Sequence, residues 1–210
     1  VAIKDWGMKL ENPVQNTRKP RVSNARSRVL SSVETEYLLE ACKNIKSERL
    51  YATVVLALET AMRKGEIVAL DWRYINFNKR TAYLPDTKNN EARTVALSSK
   101  AIAILRSLNP KPQGSVLGYA GSDSIDSAWY AAIANAKIRY LKHCLSTNAS
   151  PEIGFLENFC FHDMRHTATT WLGAKGLHPI ELASMTGHKD LKMMMRYSHP
   201  DAADIALKLD

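Results

Sequence analysis

The chain has 210 residues, enough for one well-buried core with a short attached segment, and its 29 lysines and arginines against 21 aspartates and glutamates leave a formal charge of +8. That excess favours a polyanionic partner over an acidic surface or a neutral metabolite, although many basic proteins bind no nucleic acid. Cys42, Cys144 and Cys160 form no CxxC pair, which argues against a disulfide framework and a thiolate zinc site. Without an apolar run of about 20 residues, we expect a soluble cytoplasmic protein with no membrane partner.

The first 30 residues differ from the rest of the chain. The stretch 12–28 is rich in Lys, Arg, Asn, Ser and Pro and has no apolar period, which is typical of a basic linker. The residues before it, with Trp6, Met8 and Leu10, are expected to be the end of a domain that is otherwise missing. A solvated tail with no role would have the same composition. As a linker, the segment would bind a polyanionic partner through Arg18, Lys19, Arg21, Arg26 and Arg28.

Ordered structure is predicted to begin at Ser31, which can cap a helix together with Glu34. A second helix over 50–62 has a broad apolar face that favours a central place in the core. Two β-type runs, 81–84 and 93–97, flank a polar turn and predict a hairpin. Further helices are predicted over 98–108, 122–141, 162–175 and 179–186, with a short one from residue 190. The pattern indicates an α+β fold that is mainly helical with one small antiparallel β-sheet.

Two C-terminal motifs carry groups suited to phosphate chemistry. His162 and Arg165 lie three apart at the start of a predicted helix, so both face one side and can reach one phosphate. His188 follows Gly187, whose backbone freedom lets the chain turn sharply at a helix end and hold the imidazole in place. Tyr197 follows nine residues later. Taken singly, these would be an ordinary polar first turn and a half-buried structural tyrosine.

Two further cations precede these motifs. Arg63 falls at the end of the second predicted helix, in the stretch AMRKGE over 61–66, and its planar guanidinium matches phosphate oxygens. Lys88 lies in the hairpin turn. Each alone would be an ordinary surface side chain, so Arg63 and Lys88 indicate a functional site only in combination with the C-terminal motifs.

Six residues in this order resemble the catalytic constellation of the tyrosine recombinases, the phage integrase family. The six are Arg63, Lys88, His162, Arg165, His188 and Tyr197. The likeness spans about residues 28–200 and includes the context around each position. It implies a site-specific DNA recombinase of the integrase type that acts on double-stranded DNA and serves a mobile element or a chromosome.

The resemblance also implies a mechanism. Tyr197 would attack a backbone phosphate and form a 3′-phosphotyrosine, Lys88 would be the general acid for the departing 5′ oxygen, and His162 would assist proton transfer at the nucleophile. Elementary chemistry adds that a phenol with a pKa near 10 needs assistance at neutral pH, which nearby arginines can supply. Fixed cations at Arg63 and Arg165, with His188 as an extra donor, would stabilise the charge that develops on the phosphate. We expect no metal and no ATP, because the arginines do what divalent ions do in nucleases and the intermediate keeps the energy of the broken bond.

The resemblance divides the chain into three parts. Residues 1–30 would be the end of a missing N-terminal DNA-binding domain and its basic linker, residues 31–200 the catalytic domain, and residues 201–210 a tail helix that docks on its own chain or on a neighbouring subunit. The full-length protein is expected to form a homotetramer on DNA, and the fragment to be a monomer alone. Many family members have glycine at the position of Ala61. We expect little effect there, since alanine suits a helix end without a positive φ.

Three alternatives stay open. A metal-dependent hydrolase would bind zinc through His162 and His166 with His188 or His199, but the HExxH carboxylate is missing and arginines beside a metal are electrostatically awkward. A type IB topoisomerase would share the tyrosine chemistry but relax DNA. A non-catalytic DNA-binding relative would be expected to have lost a catalytic residue, and none is lost.

Overall fold

The computed structural model describes residues 4–9, 17–18, 28–45, 47–85, 92–188 and 194–195. Within these ranges helices predominate and one small antiparallel sheet is present, so the predicted α+β class is confirmed. Several predictions lie outside the described residues: Lys19, Arg21, Arg26, Lys88, Tyr197, His199, the helix predicted from residue 190 and the tail 201–210.

Helix α1 (Ser32–Lys43) begins with the predicted cap. Ser31 Oγ accepts the backbone N–H of Glu34 at 3.1 Å, and Glu34 Oε2 accepts that of Ser31 at 3.0 Å. The other Glu34 oxygen accepts hydrogen bonds from the backbone N–H of Leu156 at 2.7 Å and from Arg28 Nη2. Burial opposes ionisation of this carboxyl, but the donors outweigh it, and the pKa of Glu34 is lowered. The carboxylate therefore ties α1 to the loop around residue 156.

Helix α2 (Glu48–Thr60) forms the centre of the core, as its apolar face predicted. Its residues Leu50, Val54 and Leu58 are buried, and the helix packs on α1 and on three later helices. The helix ends two residues earlier than predicted. Arg63 consequently does not lie at the end of the apolar helix but beyond a turn, where it immediately precedes helix α3 (Lys64–Val68).

The turn between α2 and α3 contains Ala61, which has φ of 53° and ψ of 22°. The expectation that this position needs no positive φ is therefore wrong. A left-handed conformation costs an L-residue about 1–2 kcal/mol, and glycine adopts it freely. Ala61 is fully buried and its N–H donates to the carbonyl of Ala57 at 3.0 Å, so the surrounding packing and this hydrogen bond maintain the strained conformation.

Strands β1 (Ile75–Asn76), β2 (Thr81–Leu84) and β3 (Arg93–Ala96) form an antiparallel sheet in the order β1-β2-β3. The predicted hairpin of β2 and β3 is confirmed, with Leu84 opposite Arg93 at its turn end. Strand β1 was not predicted, because two residues are too few to show alternation. Helix α4 (Ser99–Ser107) follows β3 and is capped by Ser98.

Three more helices complete the described fold: α5 (Asp126–Thr147), α6 (Asp163–Ala174) and α7 (Pro179–Thr186). Helix α5 runs six residues beyond its predicted end at 141, whereas α7 has the predicted bounds and ends at Gly187 with φ of 70°. Helix α6 packs on α2, and α7 packs on both α6 and β3. One side of the molecule therefore brings together the start of α6, the turn after α2 and the end of α7.

Candidate active site

Arg63 lies in the extended backbone conformation directly before α3, with φ of −71° and ψ of 151°. Its backbone N–H donates to Oε2 of Glu66 at 2.8 Å, and its Nη1 donates to Oε1 of the same residue at 2.9 Å. One turn of helix places the carboxylate beside both groups, so Glu66 holds one edge of the Arg63 guanidinium. The arginine side chain is 22% exposed, which leaves it accessible to a ligand.

Glu66 is the shared acceptor of two arginines. Arg93, at the start of β3, donates from Nη1 to Oε1 and from Nη2 to Oε2, both at 2.7 Å. The carboxylate side chain is only 6% exposed. Burial opposes its ionisation, but the hydrogen bonds from Arg93 and Arg63 outweigh this cost and lower the pKa of Glu66 to about 2. Glu66 is therefore ionised at neutral pH.

Arg165 is held by two backbone carbonyls from distant parts of the chain. Its Nη1 donates to the carbonyl oxygen of Ala61 at 2.7 Å, and its Nη2 donates to that of Thr186. The residue as a whole is 4% exposed. Since each carbonyl belongs to the end of a helix, α2 or α7, the position of this guanidinium is fixed by the packing of those helices against α6.

His188 lies against Arg165 and Thr186. Arg165 Nη2 is 3.4 Å from His188 Nδ1 and 3.5 Å from Nε2, a nearly equal pair of distances that indicates close packing instead of one directed hydrogen bond. Thr186 Oγ1 is 2.7 Å from His188 Nδ1 and 2.6 Å from the carbonyl oxygen of Leu182. Because the hydroxyl has one hydrogen and the carbonyl can only accept, we assign the proton of neutral His188 to Nδ1, which donates to Thr186.

The pKa of His188 is lowered to about 4. Partial burial of the ring is the main cause, followed by the charges of Arg165 and Arg63. In the absence of a bound anion the imidazole is therefore neutral at pH 7, with its lone pair on Nε2.

His162 immediately precedes α6 and is accessible to solvent. Burial of its inner side and the neighbouring His166 and Arg165 lower the pKa of His162. The rings of His162 and His166 meet edge to face, with centroids 5.7 Å apart. The charge of Arg63 also acts on His162, as it does on His188. Four of the predicted catalytic residues thus share one electrostatic environment: Arg63, His162, Arg165 and His188.

The other two predicted catalytic residues, Lys88 and Tyr197, lie outside the described residues, and their roles stay predictions. The sequence reasoning missed three residues that the site contains: Glu66, Arg93 and Thr186. Glu66 falls three residues after Arg63, a spacing that signals a helix-start contact and could have identified it. No local pattern marks Arg93 or Thr186, because their partners come from elsewhere in the fold.

The basic segment is described only in part. Arg18 is exposed. The guanidinium of Arg28 pairs with Glu34, donates to the carbonyl of Val29 at 2.8 Å and lies 5.9 Å from the centre of the Phe159 ring. Arg28 is thus bound to the protein itself in the absence of DNA, and the predicted phosphate contacts of this segment stay predictions.

Among the described residues, no three side chains of His, Cys, Asp or Glu come together as a metal-binding group. The suggested zinc ligand His199 lies outside those residues. In the same part of the chain, none of the helices has the length and apolar character needed to cross a membrane.

The Phage integrase family model matches residues 28–204. The chain therefore belongs to the phage integrase family, the family of the tyrosine recombinases, and the resemblance proposed from its motifs is confirmed.

Two relatives illustrate the similarity. The shufflon-specific DNA recombinase of Escherichia coli is 36% identical over 211 residues, which cover 100% of this chain and 50% of the relative. The integrase of Salmonella phage P22 is 29% identical over 201 residues, which cover 95% of this chain and 50% of the relative. The chain thus spans about half the length of these relatives.

Solved structures share the fold. The catalytic domain of bacteriophage HP1 integrase superposes with a TM-score of 0.63 at 23% identity, covering 87% of this chain and 94% of that domain. The Tn1549 transposon integrase in complex with transposon right end DNA superposes with a TM-score of 0.65 at 16% identity, covering 90% of this chain and 67% of that one. At these identities the comparison supports the fold alone.

Proposed function

We propose that this chain is the catalytic part of a site-specific DNA recombinase of the integrase type, which cleaves and rejoins DNA through a 3′-phosphotyrosine on Tyr197. The observation that carries the proposal is the contact of Arg165 with His188 at 3.4 Å, with the charge of Arg63 acting on the same imidazole. The carbonyls of Ala61 and Thr186 fix Arg165 in this position. Two guanidiniums beside a neutral imidazole form a site for a singly charged phosphodiester. Membership of the phage integrase family supports this class of reaction.

The arginines stabilise the transition state more than the ground state. As a nucleophile adds to phosphorus, negative charge builds on the non-bridging oxygens, and donors already aimed at them need no reorganisation. Arg165 meets this requirement because packing and two carbonyls fix its guanidinium. Arg63 meets it because Glu66 holds one edge of its guanidinium.

The covalent step exchanges one phosphate ester for another. The Tyr197 oxygen forms a bond to phosphorus, its proton leaves with assistance from His162, and the bond from phosphorus to the 5′ oxygen breaks. Lys88 gives a proton to that leaving oxygen. Religation reverses these events with a different 5′-hydroxyl. The number of phosphoester bonds is conserved, so the reaction does not require ATP. A metal ion is not needed in this proposal because the arginines stabilise the charge that a divalent ion stabilises in nucleases.

Double-stranded DNA is the proposed partner, and the full-length protein is proposed to act as a homotetramer. Lysines and arginines of the basic segment would add sequence-independent affinity by neutralising phosphates, which makes binding weaken as salt rises. The proposed contacts come from Arg18, Lys19, Arg21, Arg26 and Arg28. Arg28 would exchange its intramolecular partner Glu34 for a phosphate. The tail 201–210 is proposed to dock on its own chain or on a neighbouring subunit.

A pool of nicked duplexes with randomised sequence tests this function without knowledge of the target site. The nick lets the short 5′-hydroxyl fragment diffuse away after cleavage, so a covalent protein–DNA adduct accumulates and can be seen on a denaturing gel. We expect an adduct with the wild-type chain and none with Tyr197→Phe. Sequencing the trapped DNA would then provide the preferred site.

Two controls separate this function from its rivals. The adduct should form equally in EDTA, whereas loss of cleavage with chelator would favour the metal-dependent hydrolase. The trapped adduct should join an added 5′-hydroxyl strand of different sequence. Relaxation of supercoiled DNA without any transfer to such a strand would instead favour the topoisomerase. Absence of adduct at every sequence in the pool would contradict the proposal.

A further inference from the structure

We infer that Arg93 is a positioning residue that fixes Arg63 and His188 relative to each other, an inference that rests on the proposed function of the site. Its guanidinium binds both oxygens of Glu66 at 2.7 Å and donates from Nε to the carbonyl oxygen of Met185 at 3.0 Å. One side chain thereby joins strand β3, the start of α3 and the end of α7. Arg93 itself does not have to touch the phosphate.

The bond to Glu66 connects Arg93 to Arg63. Both Glu66 oxygens already accept from Arg63, one from its backbone N–H and one from Nη1. Arg93 therefore completes the shell of donors around the carboxylate, which restricts its rotation. A carboxylate held in this way keeps the Arg63 guanidinium in one orientation.

The bond to Met185 connects Arg93 to His188. Met185 lies three residues before His188, in the last turn of α7. Gly187, between them, approaches Arg93 so closely that a Cβ atom there would lie 3.2 Å from Arg93 Cδ and 3.2 Å from Nη1. The turn that carries the imidazole therefore rests directly on the arginine side chain.

The partner of its guanidinium distinguishes Arg93 from an arginine that contacts DNA. Both Nη atoms of Arg93 pair with the Glu66 carboxylate, whereas Arg165 bonds to the neutral carbonyls of the backbone. The Nε and both Nη atoms of Arg93 bond to the protein. A DNA phosphate would have to displace the bidentate bond to Glu66 to reach it, which would break the contact that orients Arg63.

Arg93→Lys tests the inference because it keeps the charge but cannot span two partners. A lysine ammonium can meet Glu66 as a point charge, yet it lacks the planar fork that also reaches Met185. The matched control is Arg73→Lys, because Arg73 forms a comparable two-point pair with Asp71, with bonds of 3.1 Å, at the surface. Circular dichroism and urea unfolding establish that each variant is folded.

We expect Arg93→Lys to slow single-turnover cleavage of the nicked duplex by at least about tenfold. Duplex affinity and its salt dependence should stay as in the wild type, because no phosphate contact is lost. Arg73→Lys should leave cleavage unchanged. A cleavage rate equal to that of the wild type would overturn the inference. A loss of duplex affinity as large as the loss of cleavage would also overturn it, because that result would assign Arg93 to direct contact with the DNA.

A second measurement needs no reaction. NMR titration of His188 in the DNA-free chain should show its pKa rising from about 4 towards 6.5 in Arg93→Lys, because a loosened turn exposes the ring to water while the total charge is unchanged. An unchanged pKa would contradict positioning even if the wild type formed no adduct. Absence of wild-type adduct would contradict the proposed function alone, so the two failures are distinguishable.

If Arg93→Lys does not fold, Glu66→Gln replaces it in the measurements of cleavage and duplex affinity. This variant leaves Arg93 in place but removes the charge that joins it to Arg63. Cleavage should again fall by at least about tenfold. Duplex affinity should not fall, because the variant removes a negative charge and no phosphate contact. Wild-type cleavage in folded Glu66→Gln would overturn the inference.

Discussion

The guanidinium of Arg165 donates a hydrogen bond to the carbonyl oxygen of Ala61, 2.7 Å away and 104 residues earlier in the chain. That carbonyl belongs to a residue with φ of 53°. The left-handed turn ends α2 and aims the carbonyl at the buried arginine. The strained residue therefore also supplies a carbonyl to the proposed phosphate site. Substitutions at residue 61 should be tested by measuring both the free energy of unfolding and the rate of cleavage.

Ala61→Gly should leave the free energy of unfolding within about 0.5 kcal/mol of the wild type. Relief of the left-handed strain contributes about 1–2 kcal/mol. It is offset by the greater backbone entropy of glycine, about 0.5–1 kcal/mol, and by loss of a buried methyl, about 0.8 kcal/mol. The control Ala57→Gly, within α2, has no strain to relieve and should cost about 2 kcal/mol. Urea unfolding measures the free energy of unfolding of both variants. Equal losses of stability in the two variants would show that Ala61 is unstrained.

Thr186→Val should slow cleavage by about tenfold, which corresponds to about 1.4 kcal/mol. The variant removes the hydroxyl that accepts from His188 Nδ1 while keeping the size of the side chain. Thr53→Val is the matched control, since Thr53 is also buried and donates to a carbonyl four residues earlier, at 2.7 Å. Single-turnover assays on a nicked duplex compare the two. Equal effects would mean that the hydroxyl matters for folding and not for His188.

Duplex affinity should increase as the pH falls from 7 towards 5. Neutral His188 donates Nδ1–H to Thr186, so it must gain a proton on Nε2 before it can donate to a phosphate. A bound anion raises the pKa of His188 above the value of about 4 that it has in the free protein. At a pH between these two pKa values the complex binds more protons than the free chain, so a fall in pH favours DNA binding. Fluorescence anisotropy at constant ionic strength measures this.

His188→Asn should flatten that pH dependence. His143→Asn, which changes an exposed histidine on α5, should leave it as in the wild type. If all three proteins showed the same increase in affinity, protonation of His188 would not be linked to DNA binding.

Glu66→Gln should lower the free energy of unfolding by ~3 kcal/mol at pH 7. The pKa of Glu66 is about 2 in the folded chain against an ordinary value of 4.5. Its contribution is therefore complete above pH 4.5 and is lost as the pH falls towards 2, so the difference between variant and wild type should narrow between pH 4.5 and pH 3. Urea unfolding at several pH values checks this. A difference in the free energy of unfolding between variant and wild type that stays constant with pH would contradict this prediction.

The main elements of the fold could be predicted from local sequence patterns. Ser31 and Glu34 mark the start of α1 because a capping box involves residues only three apart. The α7 bounds follow from Pro179 at the first position and Gly187 beyond the last, since both residues act through their own backbone. Strand β1 has no pattern in the sequence. The turn that ends α2 at Thr60 accepts a hydrogen bond from the distant Arg165, a contact that no local pattern marks.

The candidate site was predictable only in part, for a physical reason. The spacing of His162 and Arg165 at the start of α6 is a local property, and the charge of Arg165 acts on His162. The partners of Arg93 are 27 and 92 residues away, and the bond that Arg165 makes to Ala61 depends on the packing of α6 on α2. A single sequence contains no signal for contacts of this kind, which arise when the helices assemble.

The central claim is tested most directly by mapping the attachment point of the trapped DNA. The adduct would be digested with nuclease and trypsin, which cuts after Arg196 and Lys208 and so releases a peptide whose one tyrosine is Tyr197. We predict a nucleotide joined through its 3′ phosphate to Tyr197, as located by fragmentation in the mass spectrometer, and no modified peptide from Tyr197→Phe. A nucleotide on any other residue, or one joined through a 5′ phosphate, would contradict the account.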